Sequence, residues 1–166
     1  MATLLDLAKQ GAISKFQPIL EPTEQEVRCI YAAPKLIKWI KEVLPSLQSD
    51  RGLESSPLMQ FVDLTSLFCS GGTLCFDWHF KPLQHVEDGI WELKTSDLRI
   101  FGWFPQKDWF IGVIGDTKRR IIDYGLYGPY AKIEVAPFRA NLDLDPPKFV
   151  PGVDPHDVVS DFDFAD

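Results

Sequence analysis

Residues 85–120, HVEDGIWELKTSDLRIFGWFPQKDWFIGVIGDTKRR, hold three short runs rich in β-branched and aromatic residues. The runs are Ile90–Lys94, Leu98–Phe104 and Trp109–Ile114, separated by Thr95-Ser96-Asp97 and by Pro105-Gln106-Lys107-Asp108. Both separators consist of turn formers, and connections this short join only antiparallel neighbours. The stretch therefore predicts a three-stranded meander. Period-two alternation in the middle run puts Leu98, Ile100 and Gly102 on one face, and Arg99, Phe101 and Trp103 on the other. Lys118, Arg119 and Arg120 follow the third run directly. Cations beside aromatics on a sheet suit a polyanion or stacked bases. An ordinary sheet with charged rims accounts for the same composition.

Working outward, Val27–Tyr31 is a strand candidate, and Pro34–Gln48 reads as a helix with proline in its first turn. Leu36, Ile37, Ile40, Val43, Leu44 and Leu47 recur there at helical spacing, and Pro45 shortens the end. Ser55 or Ser56 caps a second helix that starts at Pro57, runs from Leu58 to Phe68 and stops at Ser70-Gly71-Gly72. The two predict a helical hairpin whose apolar stripes the meander covers. Thr3–Lys9 reads as a short helix within an N-terminal extension, residues 1–25, and the main domain spans 26–140. Thr73–Phe80 adds a strand or an ordered loop, Ile121–Tyr130 reads as loop, and Lys132–Val135 as a last strand. Four prolines and seven aspartates make residues 141–166 an extended or disordered tail.

Charge is unevenly spread. The chain carries −7 overall, and the tail holds seven aspartates against Lys148, so residues 1–140 are nearly neutral. Phosphate-binding domains more often show a basic excess. In the tail, Val158, Val159, Phe162 and Phe164 alternate with acidic residues, as in a segment that docks on a basic-apolar groove. It could guard such a groove in cis or bind a separate partner. No apolar run approaches the ~20 residues of a membrane span. The first residues lack the basic region and cleavage site of a signal peptide, and three unpatterned cysteines suit a reducing compartment, so a cytoplasmic location is expected. Cys69, Cys75, His79 and His85 lie close in sequence but lack the tight cysteine pair of structural zinc sites. Core thiols and surface histidines are the expectation, with no metal and no cofactor.

Pro82-Leu83, Asp88–Lys94, Leu98–Phe101 and Asp116–Arg119 occur in an order and spacing that resembles the RelE/ParE superfamily of bacterial toxins, and within it the HigB and phage-derived Gp49-like proteins. Trp91-Glu92-Leu93-Lys94 stands for the family's "WELR" part, with lysine in place of arginine, and Arg99-Ile100-Phe101 for its "RvF" part. Lys118-Arg119 stands where "KK" is expected, and the resemblance covers roughly residues 26–120. It implies an α+β fold of strand, helical hairpin and antiparallel meander. It also implies the toxin of a type II toxin–antitoxin system, a metal-independent endoribonuclease that cuts mRNA on the ribosome and is held by an antitoxin. By motif position Lys94, Arg99, Lys118 and Arg119 would be the catalytic cations, with Arg120, Trp103 and Phe101 against the RNA. No histidine stands just after the third run, where such sites often draw an acid or base, and Tyr124, Tyr127 or Tyr130 could stand in. The rival expectation keeps the fold without the chemistry, as a protein-binding module of phage or mobile-element origin.

Overall fold

A computed structural model describes residues 1–83 and 86–164. The elements in order are α1 (Leu4–Lys9), β1 (Ser14–Lys15), β2 (Cys29–Ala32), α2 (Pro34–Glu42), α3 (Pro57–Ser70), β3 (Leu74–Phe76) and β4 (Phe80–Pro82). They continue with β5 (Ile90–Lys94), β6 (Leu98–Gln106), β7 (Trp109–Thr117), α4 (Lys118–Asp123), α5 (Tyr127–Pro129), a π-helical stretch Tyr130–Val135, α6 (Ala136–Asn141) and β8 (Phe162–Phe164). The fold is α+β, built on one mixed sheet of eight strands in the order β1-β2-β7-β6-β5-β4-β3-β8.

The meander forms its centre. Lys94 pairs with Arg99 across the first hairpin, and Gln106 with Trp109 across the second. Register shifts after Phe101, where Gly102 comes so close to the Ile111 carbonyl that no Cβ would fit. Strand β2 joins β7 in parallel, Cys29 opposite Trp109, a pairing that needs the α2–α3 crossover between them.

Alternation sorts the strands into two cores. One face carries Trp91, Leu93, Leu98, Ile100 and Phe110, covered by Leu36 of α2 and Phe61, Leu64 and Phe68 of α3. The other carries Ile90, Phe101, Trp103, Ile111 and Val113, covered by Leu4 and Leu7 of α1, Ile121 of α4, and Ala131 and Val135 of the π-helical stretch. Helix α3 begins where Ser56 accepts from the Met59 N–H and ends at Gly71, which takes the left-handed conformation with φ of 81°. Helix α2 stops at Glu42, and Pro45 lies in a 3₁₀ turn, Leu44–Ser46.

The second helical layer departs from expectation. Lys132–Val135, expected as a strand, is helical, and most of Ile121–Tyr130, expected as loop, lies in α4 and α5. Ile121, Ala131 and Val135 are fully buried, and the four-residue spacing of the last two points both at the sheet. Residues 1–25 are not a loose extension, since Ala2, Leu4, Leu7 and Ile13 are buried in the same core.

The acidic C-terminal segment is a strap and not a free tail. Trp103 donates its indole N–H to the Lys148 carbonyl, and Val150 N–H donates to Phe104 O. Val158 and Val159 are buried among Phe68, Phe104 and Phe110, and β8 pairs in parallel with β3. A buried cation, Arg28, helps tie it down. Arg28 is fully buried and donates to the carbonyls of Phe68, Gly72 and Asp161 at 2.9–3.0 Å, and to Asp108 at 3.3 Å.

Candidate cationic cleft

The turn Thr95-Ser96-Asp97 is held from two sides. Gln60 of α3 accepts from the Thr95 hydroxyl at 2.8 Å and from Asp97 N–H at 3.0 Å, and its amide donates to the Asp97 carboxylate at 2.6 Å. Lys118 N–H, at the start of α4, donates to Asp97 O. Around this pinned turn lies a cleft of about 270 Å³, lined by Arg51, Lys94, Arg99 and Lys118 with Trp78 and Asp77. Four cations thus face one carboxylate in a chain whose total charge is −7.

Each cation is placed differently. Lys94 ends β5, donates to Asp77 O at 2.6 Å and lies 3.7 Å from the Asp77 carboxylate. Burial, and then the nearby Arg99 charge, hold its ammonium below the usual lysine range. Arg99 is buried and gives Nη1 to the Thr95 and Leu98 carbonyls at 2.6 and 2.7 Å. Behind it, Glu92 is 3% exposed, with Oε1 3.9 Å from Arg99 Nε. Neither that Nε nor Glu92 Oε2 has a hydrogen-bond partner. Burial pushes the Glu92 carboxyl up, against the pull of Arg99. The Tyr127 hydroxyl adjoins the same pair, and burial followed by Glu92 raises its pKa. Among the described residues Lys118 and Arg51 pair with no carboxylate.

Of the residues named from sequence, Lys94, Arg99 and Lys118 meet in this cleft. Arg119 does not line it; its guanidinium pairs with Asp50 at 3.2 Å and Asp123 at 3.6 Å. Arg120 pairs with Asp116 at 3.1 Å and lies over the Tyr124 ring. Tyr130 donates to the same Asp116, and burial pushes its phenol up to about 12, which removes it as a base at neutral pH. Phe101 and Trp103 are 0% exposed. They cannot stack bases, because α5, the π-helical stretch and α6 cover their face: Tyr127 stacks on Phe101, and Phe138 packs on Trp103. The expected guard is also elsewhere. Val158 and Val159 lie in the opposite core, Phe162 and Phe164 pack on Phe80 and Phe76, and none of the four lines the cleft.

Arg51, Asp77 and Trp78 line the site without a sequence signal that singles them out for it. Arg51 comes from the loop between α2 and α3. Trp78, 71% exposed, is presented by a tight turn in which Asp77 adopts φ of 75°. Its neighbour His79 accepts the Cys75 N–H on Nδ1 at 2.8 Å, and burial holds its pKa below the usual range. With Nδ1 accepting, the ring proton sits on Nε2. Cys69 is fully buried, and no cluster of metal-ligating side chains forms among the described residues; His85 lies outside them.

A larger cleft of about 490 Å³ opens at the far end of β6, between Leu4, Leu5, Tyr31, Trp109 and Leu144. It is apolar. No described helix is long and apolar enough to cross a membrane.

No family model, curated protein or solved structure matches the chain.

Proposed function

We propose that the cationic cleft binds the phosphodiester backbone of RNA, and that the chain is a RelE/HigB-like toxin that cuts mRNA on the ribosome and is held by an antitoxin. The observation carrying this reading is the convergence of Arg51, Lys94, Arg99 and Lys118 on one cleft beside an exposed tryptophan. The element order is a second support. Strand β2, helices α2 and α3, and the β5–β7 meander follow one another as the resemblance implies, with β3 and β4 added between.

The chemistry needs only the substrate's own nucleophile. The ribose 2′-oxygen attacks the adjacent phosphorus, the bond from phosphorus to the 5′-oxygen breaks, and a 2′,3′-cyclic phosphate and a 5′-hydroxyl result. One proton leaves the 2′-hydroxyl and one reaches the 5′-oxygen. Lys94 lines the cleft beside Arg99, and it is the proton carrier we assign. Arg99 and Lys118 meet the charge growing on the phosphoryl oxygens. Arg119 and Arg120, outside the cleft, are left for contacts with ribosomal RNA.

A binding module without chemistry is the second reading, and the apolar cleft at the far end of β6 favours it. Controlled expression in bacteria with a translation readout separates the two. Arrest by the wild type, relieved by Arg99→Ala with Lys118→Ala in a protein that stays folded, supports the nuclease. No arrest from soluble, folded wild type removes the nuclease and leaves the module.

A further inference from the structure

Helix α3 places Gln60, Asp63, Leu64 and Leu67 on one stripe, at i, i+3, i+4 and i+7. That stripe forms one wall of a groove of about 290 Å³, and Trp78 and His79 line it as well. Trp78, Lys94, Thr95 and Ser96 line both this groove and the cationic cleft, so the two are continuous. Gln60 is spent on the Thr95–Asp97 turn. Asp63, by contrast, is exposed and has no partner among the described residues, and His79 has only its Nδ1 engaged.

We infer that this groove is a nucleobase subsite, which takes one unstacked base between Trp78 and the Leu64–Leu67 wall while the attached phosphate lies in the cationic cleft. The inference rests on the phosphate-binding reading and names what sits next to the phosphate. Three features point to a base. A tryptophan 71% exposed offers a flat apolar face to a planar ring. Leu64 and Leu67 give the α3 side of the groove an aliphatic surface, which suits a ring's other face. Polar groups of both senses remain for a base edge, an acceptor pair on Asp63 and the Nε2 donor of His79. Guanine fits this set best. Its N1–H and N2–H are adjacent donors that a carboxylate accepts together, and its O6 and N7 accept from an N–H.

Titration of the full chain with 5′-GMP, 5′-UMP and ribose 5-phosphate, read by tryptophan fluorescence and by calorimetry, tests it. Expected is GMP binding roughly 10-fold or more tighter than ribose 5-phosphate, and tighter than UMP. Trp78→Ala should bring GMP down to the ribose 5-phosphate level, and Asp63→Asn should erase the preference over UMP. Ribose 5-phosphate binding as tightly as GMP overturns the base subsite and leaves the phosphate cleft standing. Equal binding of GMP and UMP overturns the guanine assignment. Absence of binding by all three overturns the cleft and the subsite together.

Discussion

Replacing Arg28 by methionine keeps an unbranched apolar stem and removes the guanidinium. In the wild type this cation is fully buried and satisfies three carbonyls, one from the end of α3, one from Gly72 and one from the C-terminal strap at Asp161. It also pairs with Asp108, whose carboxylate receives Ser160 N–H as well. Burial pulls the arginine pKa below its ordinary value, and Asp108 opposes that pull, so the charge is held by its partners. Removing one partner of a buried pair costs about 3–5 kcal/mol, because the remaining polar groups stay buried without it. Each orphaned carbonyl alone accounts for about 1 kcal/mol or more. A domain of this size has about 5–15 kcal/mol in total, so the variant should lose a large fraction of its stability. Urea unfolding followed by fluorescence measures the loss, and limited proteolysis asks whether the strap comes free first. Arg28→Lys should fall in between, since one ammonium cannot span four acceptors. A loss under about 1 kcal/mol for Arg28→Met would refute the claim that this residue fastens the strap.

Three further predictions concern the site and its surroundings. Gln60→Ala removes four hydrogen bonds, including the side-chain partner of the buried Asp97 carboxylate, and should destabilise by about 2–4 kcal/mol in thermal or urea unfolding. Glu92 has a folded-state pKa raised above the ordinary value of 4.5, so it binds its proton more tightly when folded. Its cost is therefore absent below that value and grows as pH rises from 4.5 through the raised folded pKa; Glu92→Gln should flatten this fall in stability, measured by unfolding from pH 4 to 8. Burial pushes the Cys69 thiol up to about 12 and Cys29 up to about 11, so both should resist iodoacetamide at pH 8 until the protein unfolds, as mass spectrometry of the alkylated peptides would show.

Local signals in the sequence were readable where short-range physics decides the outcome. The meander follows from alternation and turn chemistry, and α3 from Ser56, Pro57 and Gly71. What could not be read depends on contacts distant in sequence. The parallel pairing of β2 with β7 joins residues about 80 apart, and nothing local encodes it. Residues 141–166 read as an extended or disordered tail because aspartates and prolines dominate their composition. Its order comes from Val158, Val159 and the carbonyl of Asp161, which meet core and Arg28 contributed by other parts of the chain. Helices from Lys118 to Asn141 were hidden by Gly125, Gly128 and Pro129, residues that usually interrupt a helix. The site shows the same division. Lys94, Arg99 and Lys118 stand at strand and helix ends fixed by the meander, so their motif positions led to one cleft. Phe101 and Trp103 share the face that alternation predicts, but a helical layer built from distant contacts covers it. Arg51, Trp78 and His79 sit in turns, where side-chain direction depends on packing. The signal available for Trp78 is its place inside Thr73–Phe80, a segment that reads as a strand or an ordered loop.

The most direct test of the cleft as an RNA-cutting site uses purified bacterial ribosomes paused on a defined mRNA, with the protein added and the message mapped at single-nucleotide resolution. The account predicts a cut within the ribosome-held segment, leaving a 2′,3′-cyclic phosphate and a 5′-hydroxyl, and abolished by Arg99→Ala together with Lys118→Ala. Intact message in the presence of folded wild type, or a cut that persists unchanged in the double variant, would contradict it.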